Sequence, residues 1–141
     1  MFKTILVAVD GSQSTDQVME AVGQFRLETG TKVILSHVVP STGYEFELIA
    51  DKPHIHADEV PYRHIEKLLE SYQEKLPCES EVEIVTGDVA EEIVRLANIY
   101  QADLIVIGCR GLTGLKRILE GSVSSQVVGE AVCSVLVVKG I

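Results

Sequence analysis

Four consecutive apolar residues, Leu104-Ile105-Val106-Ile107, run directly into Gly108. A short run rich in β-branched side chains, with no polar alternation, suits a strand covered on both faces, as in a parallel sheet flanked by helices. Thr4-Ile5-Leu6-Val7-Ala8-Val9 repeats the pattern and closes at Asp10-Gly11-Ser12, a turn signature. Two such strands commit the chain to helices on each side of the sheet, and the intervening sequence has to supply them.

It does so in regular alternation. Ser14, Thr15 or Asp16 is suited to cap a first helix with apolar positions Val18, Ala21, Val22 and Phe25, ended by Gly30. Lys32 to Val39 reads as the second strand. The stretch from Pro40 to Pro61 loses periodicity, and Tyr62 to Leu76 regains it as an amphipathic helix through Ile65, Leu68, Leu69 and Tyr72. Glu81-Val82-Glu83-Ile84-Val85 alternates with acidic residues, as a strand near a sheet edge does. Asp88 is placed to cap the next helix, through Ala90, Ile93, Val94, Leu96, Ala97 and Ile99, before Asp103 and the strand at 104–107. A last helix follows Gly121, with Ser122 or Ser124 as its cap, and Cys133 to Lys139 is the last strand. The order β-α-β-α-β-α-β-α-β predicts one doubly wound α/β domain over residues 1–141, an open sheet of five parallel strands with helices on both faces.

The segment after Ile107 carries the functional signal. Gly108, Gly111, Gly114 and Gly121 punctuate a loop between a strand and a helix N-terminus. The first turn of a helix leaves backbone N–H groups unpaired and carries positive dipole charge, which suits an anion such as phosphate. The chain has 21 acidic and 12 basic residues, a net charge of −9, yet Arg110, Lys116 and Arg117 face only Glu120 within this loop. The basic island is of nucleotide size. A glycine-rich turn serving only helix–strand packing is the alternative reading of the same residues. Asp10 stands where open α/β sheets bind ligands, outside the carboxyl ends of the strands, and an Asx turn before Gly11 is its structural alternative.

The spacing Gly108-x2-Gly111-x9-Gly121-Ser122 resembles the nucleotide loop of the universal stress protein family, in its ATP-binding branch. Ala8-Val9-Asp10-Gly11-Ser12 and Gly87-Asp88-Val89-Ala90-Glu91-Glu92-Ile93 extend the resemblance along nearly the whole chain. It is neither a Walker loop nor a dinucleotide fingerprint. The resemblance implies the strand order 3-2-1-4-5, with ATP, accompanied by Mg2+, across the crevice between the first and fourth strands. It implies that Ala8, Val9 and Asp10 line the nucleoside end, with a backbone group near Val38 meeting adenine. Gly108, Gly111, Gly121 and the run Ser122, Val123 and Ser124 would cradle the phosphates, beside Arg110. A homodimer through the last strand is implied as well, and an apolar terminal strand at a sheet edge calls for such pairing on physical grounds. Family members often carry Pro where Ser134 stands, which leaves the start of that strand open.

The function read from these residues is an ATP-binding, stress-response regulatory homodimer, with a protein partner that the sequence does not identify. The alternatives are a slow ATP hydrolase or a dimeric interaction module that needs no nucleotide. Hydrolysis asks for a group to activate water and a metal beside the phosphates, and Asp10 is the one obvious carboxylate at the rim. No catalytic residue is assigned. His54, His56, Asp58, Glu59 and His64 form a loose polar segment read as solvated loop, so no metal ligands are assigned either. His37 reads as a hydrogen-bonded core histidine. Cys78, Cys109 and Cys133 lack the pairing of a disulfide framework or zinc site and are expected reduced. The acidic balance argues against nucleic acid, and no apolar run approaches the ~18 residues a membrane helix needs. Met1 leads almost directly into a strand, so a cytoplasmic protein without a signal peptide is expected.

Overall fold

The computed structural model describes residues 2–10, 14–27, 30–40, 56–109 and 123–139. Five strands, β1 (Thr4–Ala8), β2 (Lys32–Pro40), β3 (Glu79–Gly87), β4 (Leu104–Cys109) and β5 (Ser134–Lys139), form one parallel sheet in the order β3-β2-β1-β4-β5. β1 is the middle strand, pairing Leu6 with Ile34 on one side and with Ile105 on the other. The expected topology is therefore the observed one.

Helices α1 (Ser14–Gly23) and α2 (His56–Lys75) cover one face, and α3 (Val89–Tyr100) and α4 (residues 123–130) the other. Side-chain alternation along the strands divides the core accordingly. Ile5, Val7, Val9, Val33, Leu35, Leu104 and Val106 pack with Val18, Val22 and Leu69 of α1 and α2. Leu6, Ala8, Ile34, Val38, Ile105 and Ile107 pack with Ala90, Ile93, Leu96 and Ala97 of α3 and Val127 of α4. Adjacent residues of β1 thus belong to different cores, which is why its sequence has no polar phase.

Several boundaries differ from the sequence reading. α1 ends at Gly23 and not near Gly30; Gln24 and Phe25 continue only as a tighter turn, their N–H groups donating to the carbonyls of Ala21 and Val22 three residues back. Glycine is a poor helix former, and Phe25 reaches the core from beyond the helix, against Phe2 edge-to-face. Thr15 and Asp16 lie inside the first turn, where Asp16 accepts a hydrogen bond from the Tyr72 hydroxyl of α2. Burial and that bond push the Tyr72 phenol up to about 12. α2 begins at His56, so residues 56–61 are helical where loop was expected, Pro61 included. Ser124 lies within α4 and is buried, so it does not serve as the cap. β5 starts at Ser134, one residue later than read.

Both ends of α3 follow their residues closely. The Asp88 carboxylate accepts the Glu91 N–H at 3.0 Å, as its cap position requires. At the other end Gln101 takes the left-handed conformation, φ 54°, and donates its N–H to Ala97 and Asn98. The chain then enters β4 through Asp103. Its Oδ2 accepts the backbone N–H groups of Lys3, at 3.0 Å, and Thr4, at 2.9 Å, while its own N–H donates to the Thr4 carbonyl at 2.8 Å. This clasp joins the starts of the two central strands.

The N–H groups of Thr4 and Lys3 stabilise the charged carboxylate and hold Asp103 below its ordinary 3.8. A depressed carboxylate stabilises the fold above its unfolded value, and the contribution disappears as pH falls through the folded value. Asp103→Asn keeps an acceptor and removes the charge. Urea titrations at pH 7 should show a loss of about 0.5–1 kcal/mol, the difference between a charged and a neutral acceptor at an exposed site. The gap between variant and wild type should close below pH 3.8.

Candidate functional site

β1 sits where the chain's progress across the sheet reverses. β2 lies on one side of it and β4 on the other, and the helices that follow β1 and β4 leave on opposite faces. Their departure opens a crevice at the carboxyl ends of the strands. The cavity there measures about 390 Å³, within the range of small-molecule sites. Ala8, Val9 and Asp10 reach it from β1, and Ser36, His37, Val38 and Pro40 from β2. Ile107 and Gly108 close it on the β4 side, with Thr15 and Val18 of α1, Val89 and Ile93 of α3, and Val123 of α4 around the walls.

A ladder of polar contacts fixes the end of β1 against β2. The Val9 N–H donates to the Ser36 carbonyl at 2.9 Å, extending the parallel pairing one residue past the strand. The Ser36 hydroxyl, fully buried, donates to the Val7 carbonyl at 2.9 Å. His37 Nδ1 meets the Val9 carbonyl at 2.9 Å, and because a carbonyl only accepts, that nitrogen carries the proton. The turn into Asp10 is thereby held by side chains as well as backbone. Buried Thr15 adds a longer contact, its hydroxyl 3.5 Å from Asp10 Oδ1. The result is an apolar slot with hydrogen-bonding groups gathered on the β1–β2 side, and Asp10 is the one carboxylate among the described lining residues.

Of the residues singled out from sequence, Ala8, Val9, Asp10, Val38, Gly108 and Val123 meet at this cavity. Ser124 is on α4, buried, and does not line it. Arg110, Gly111, Gly121 and Ser122 lie outside the described residues. Sequence reasoning missed Thr15, Val18, Ser36, His37, Pro40, Val89, Ile93 and Ile107 as wall residues. Ile93 was legible only as an apolar position of a helix, and Val89 only as part of the motif that opens it; nothing in their spacing tells that the Asp88 cap sets the helix start beside the strand ends. His37 has the hydrogen bond expected of it, but at the cavity wall and not in the interior core.

Among the described residues no three His, Cys, Asp or Glu side chains converge as a metal site. His54 lies outside them, as does the side chain of Cys109. Cys78 and Cys133 are free thiols, and burial pushes both upward, away from the thiolate. No helix among the described residues is long and apolar enough to cross a membrane.

Comparison with known proteins agrees with this architecture. The model of the universal stress protein family matches residues 1–139. The universal stress protein MJ0531 of Methanocaldococcus jannaschii is 33% identical, over 99% of this chain and 83% of the relative. The solved structure of MJ0577, from the same organism, superimposes with a TM-score of 0.81 at 30% identity, covering 100% of this chain and 98% of the other. A universal stress protein of Arabidopsis thaliana, solved with AMP bound, shares the fold with a TM-score of 0.69 at 21% identity, covering 99% and 92%.

The Ser36 ladder yields a stability test. Ser36→Ala deletes one buried hydroxyl and leaves the Val7 carbonyl with one donor fewer. Denaturant unfolding should show a loss of about 1 kcal/mol with an unchanged m-value. A neutral result would remove the hydroxyl from the forces that fix the end of β1.

Proposed function

The chain belongs to the universal stress protein family, and on that premise we propose that it is a nucleotide-binding regulatory protein of the cytoplasm, taking ATP with Mg2+ and acting as a homodimer. The whole chain, residues 1–141, is then one nucleotide-binding domain. The observation that carries this reading is the cavity at the reversal of strand order, apolar along its length and polar at the Asp10 end. An AMP-bound relative of the same fold supports a nucleotide as the occupant.

In this reading the phosphates lie toward Gly108 and the N-terminal side of α4, cradled by Gly108, Arg110, Gly111, Gly121, Ser122, Val123 and Ser124 through backbone N–H groups and hydroxyls. The nucleoside then extends along Ala8, Val9 and Asp10 to Val38. Mg2+ arrives on the triphosphate, which with water supplies its ligands, while Asp10, at the nucleoside end, is the one carboxylate among the described lining residues. One carboxylate makes a poor hydrolytic centre, so binding is the function and turnover, if any, a slow accompaniment. Nucleotide occupancy would change a surface read by a protein partner.

The phosphate placement is tested by calorimetry with MgATP and AMP. MgATP should bind at least about tenfold more tightly, equivalent to 1.4 kcal/mol. Equal affinities would take the β and γ phosphates out of the site.

The dimer rests on β5, the apolar edge of the sheet. Val128 of α4 is 53% exposed, Val132 in the α4–β5 connection 88%, and Leu136 of β5 36%. Val135 and Val137 pack inward against the α3–α4 core, so Leu136 is the residue on which a charge least disturbs the fold. Leu136→Lys should give a monomer by light scattering with an unaltered circular dichroism spectrum. A folded variant that remains dimeric would move the interface elsewhere.

A further inference from the structure

The motif from Gly87 to Ile93 does more than start a helix. Asp88 caps α3, so Gly87 precedes the cap and Glu92 is the fourth helical residue. Contact between those two positions fixes the angle at which a chain enters a helix, and two apolar side chains usually make it. Here the Glu92 side chain lies on the bare backbone of Gly87, where a Cβ would stand 2.9 Å from Glu92 Cγ and 3.2 Å from Cδ. Glu92 is itself held firmly. Its N–H donates to the Asp88 carbonyl at 2.9 Å, and its Oε1 accepts from Arg95 Nε at 2.9 Å and Nη2 at 2.6 Å, with the side chain only 18% exposed. Gly87 is also the last residue of β3, in register with Pro40. Pro40 lines the cavity, as do Val89, three residues before Glu92, and Ile93, next to it.

Resting on the nucleotide reading above, we propose that Gly87 and Glu92 are positioning residues of this site. The close seat of Glu92 on a backbone without a Cβ sets the angle of α3, and with it the depth of the wall that Val89 and Ile93 present to the nucleoside. A helical turn moves as a unit, because its backbone hydrogen bonds link each residue to the one four back. Displacing Glu92 therefore carries Val89 and Ile93 with it. A side chain at Gly87 meets the near end of Glu92, and the two bonds from Arg95 oppose swinging that side chain away. The wall moves instead. Neither Gly87 nor Glu92 lines the cavity; both act through the apolar residues that do.

The test is calorimetry with MgATP and with AMP on wild type, Gly87→Ala, Glu92→Ala, Glu92→Gln and the double variant Gly87→Ala/Glu92→Ala. At φ 155° Gly87 has a backbone that L side chains rarely adopt, so the Glu92 variants separate the contact from backbone strain. Gly87→Ala should weaken ATP and AMP by the same factor, about tenfold, with unchanged stoichiometry, because the nucleoside is common to both. Glu92→Ala should weaken both about threefold, and Glu92→Gln, which keeps Cγ and Cδ, by less. The double variant should bind more tightly than Gly87→Ala alone, since the obstructing atoms are gone. A folded Gly87→Ala that binds both nucleotides like wild type overturns the proposal, as does a loss confined to ATP or a double variant whose losses simply add. Should Gly87→Ala not fold, equal binding by Glu92→Ala and Glu92→Gln overturns it. Wild type that binds neither nucleotide overturns the nucleotide reading alone. Methyl NMR then decides the positioning role: the Val89 and Ile93 resonances should move in Glu92→Ala and stay near wild type in Glu92→Gln, and resonances that respond equally to both overturn it.

Discussion

Burial of β1 on both faces is the constraint from which the remaining structure follows. Ile5, Leu6 and Val7 are each almost wholly inaccessible, although consecutive side chains point to opposite sides of the sheet. That condition demands helices on both faces and paired strands on both edges. Parallel neighbours in turn require crossover connections, which deliver α1 and α2 to one face and α3 and α4 to the other. The crevice beside Asp10 is a consequence of this division. It exists because the layers part company at β1, and its floor is rigid because β1 is the best-buried strand.

The two ends of the central strands are secured by different chemistry. At their starts, Asp103 ties β4 to β1 through backbone N–H groups at an exposed position. At their carboxyl ends, Ser36 and His37 tie β2 to β1 with side chains at buried or half-buried positions. The first arrangement stabilises the fold and stands away from the cavity. The second holds the turn that presents Asp10, so any ligand there meets a preorganised wall.

The edges of the sheet differ as well. β3 carries Glu79, Glu81 and Glu83, of which the first two contact Lys32 and the third accepts from the Tyr100 hydroxyl. Burial, with the bond to Glu83, raises Tyr100 above its ordinary range. Charges along an edge strand discourage pairing with another chain. β5 has no such row, only Lys139 at its end and the exposed Leu136 within it. Among the described residues the sheet thus has one acidic and one apolar edge, and it is on the apolar one that the proposed dimer is placed.

How far the sequence reached follows from the range of the forces involved. Periodicity, caps and turn residues are local, so the strands at Thr4 and Leu104, the Asp88 cap and the acidic alternation at Glu81 and Glu83 were legible, and with them the α/β class. The motif that begins at Ala8 likewise marked one wall of the crevice through Ala8, Val9 and Asp10, and Gly108 another. Local signals were weaker where tertiary packing competes with propensity: Gly23 ends α1 while Phe25 still reaches the core, and α2 runs through Pro61. Only the folded chain could bring Val89, Ile93 and Thr15 to Asp10, or set the His37 ring against the Val9 carbonyl. The Thr15 and His37 contacts span 5 and 28 positions, Val89 and Ile93 reach the same cavity from another face of the sheet, and no local pattern records which strands become neighbours; that was decided by the parallel register of β1 between β2 and β4.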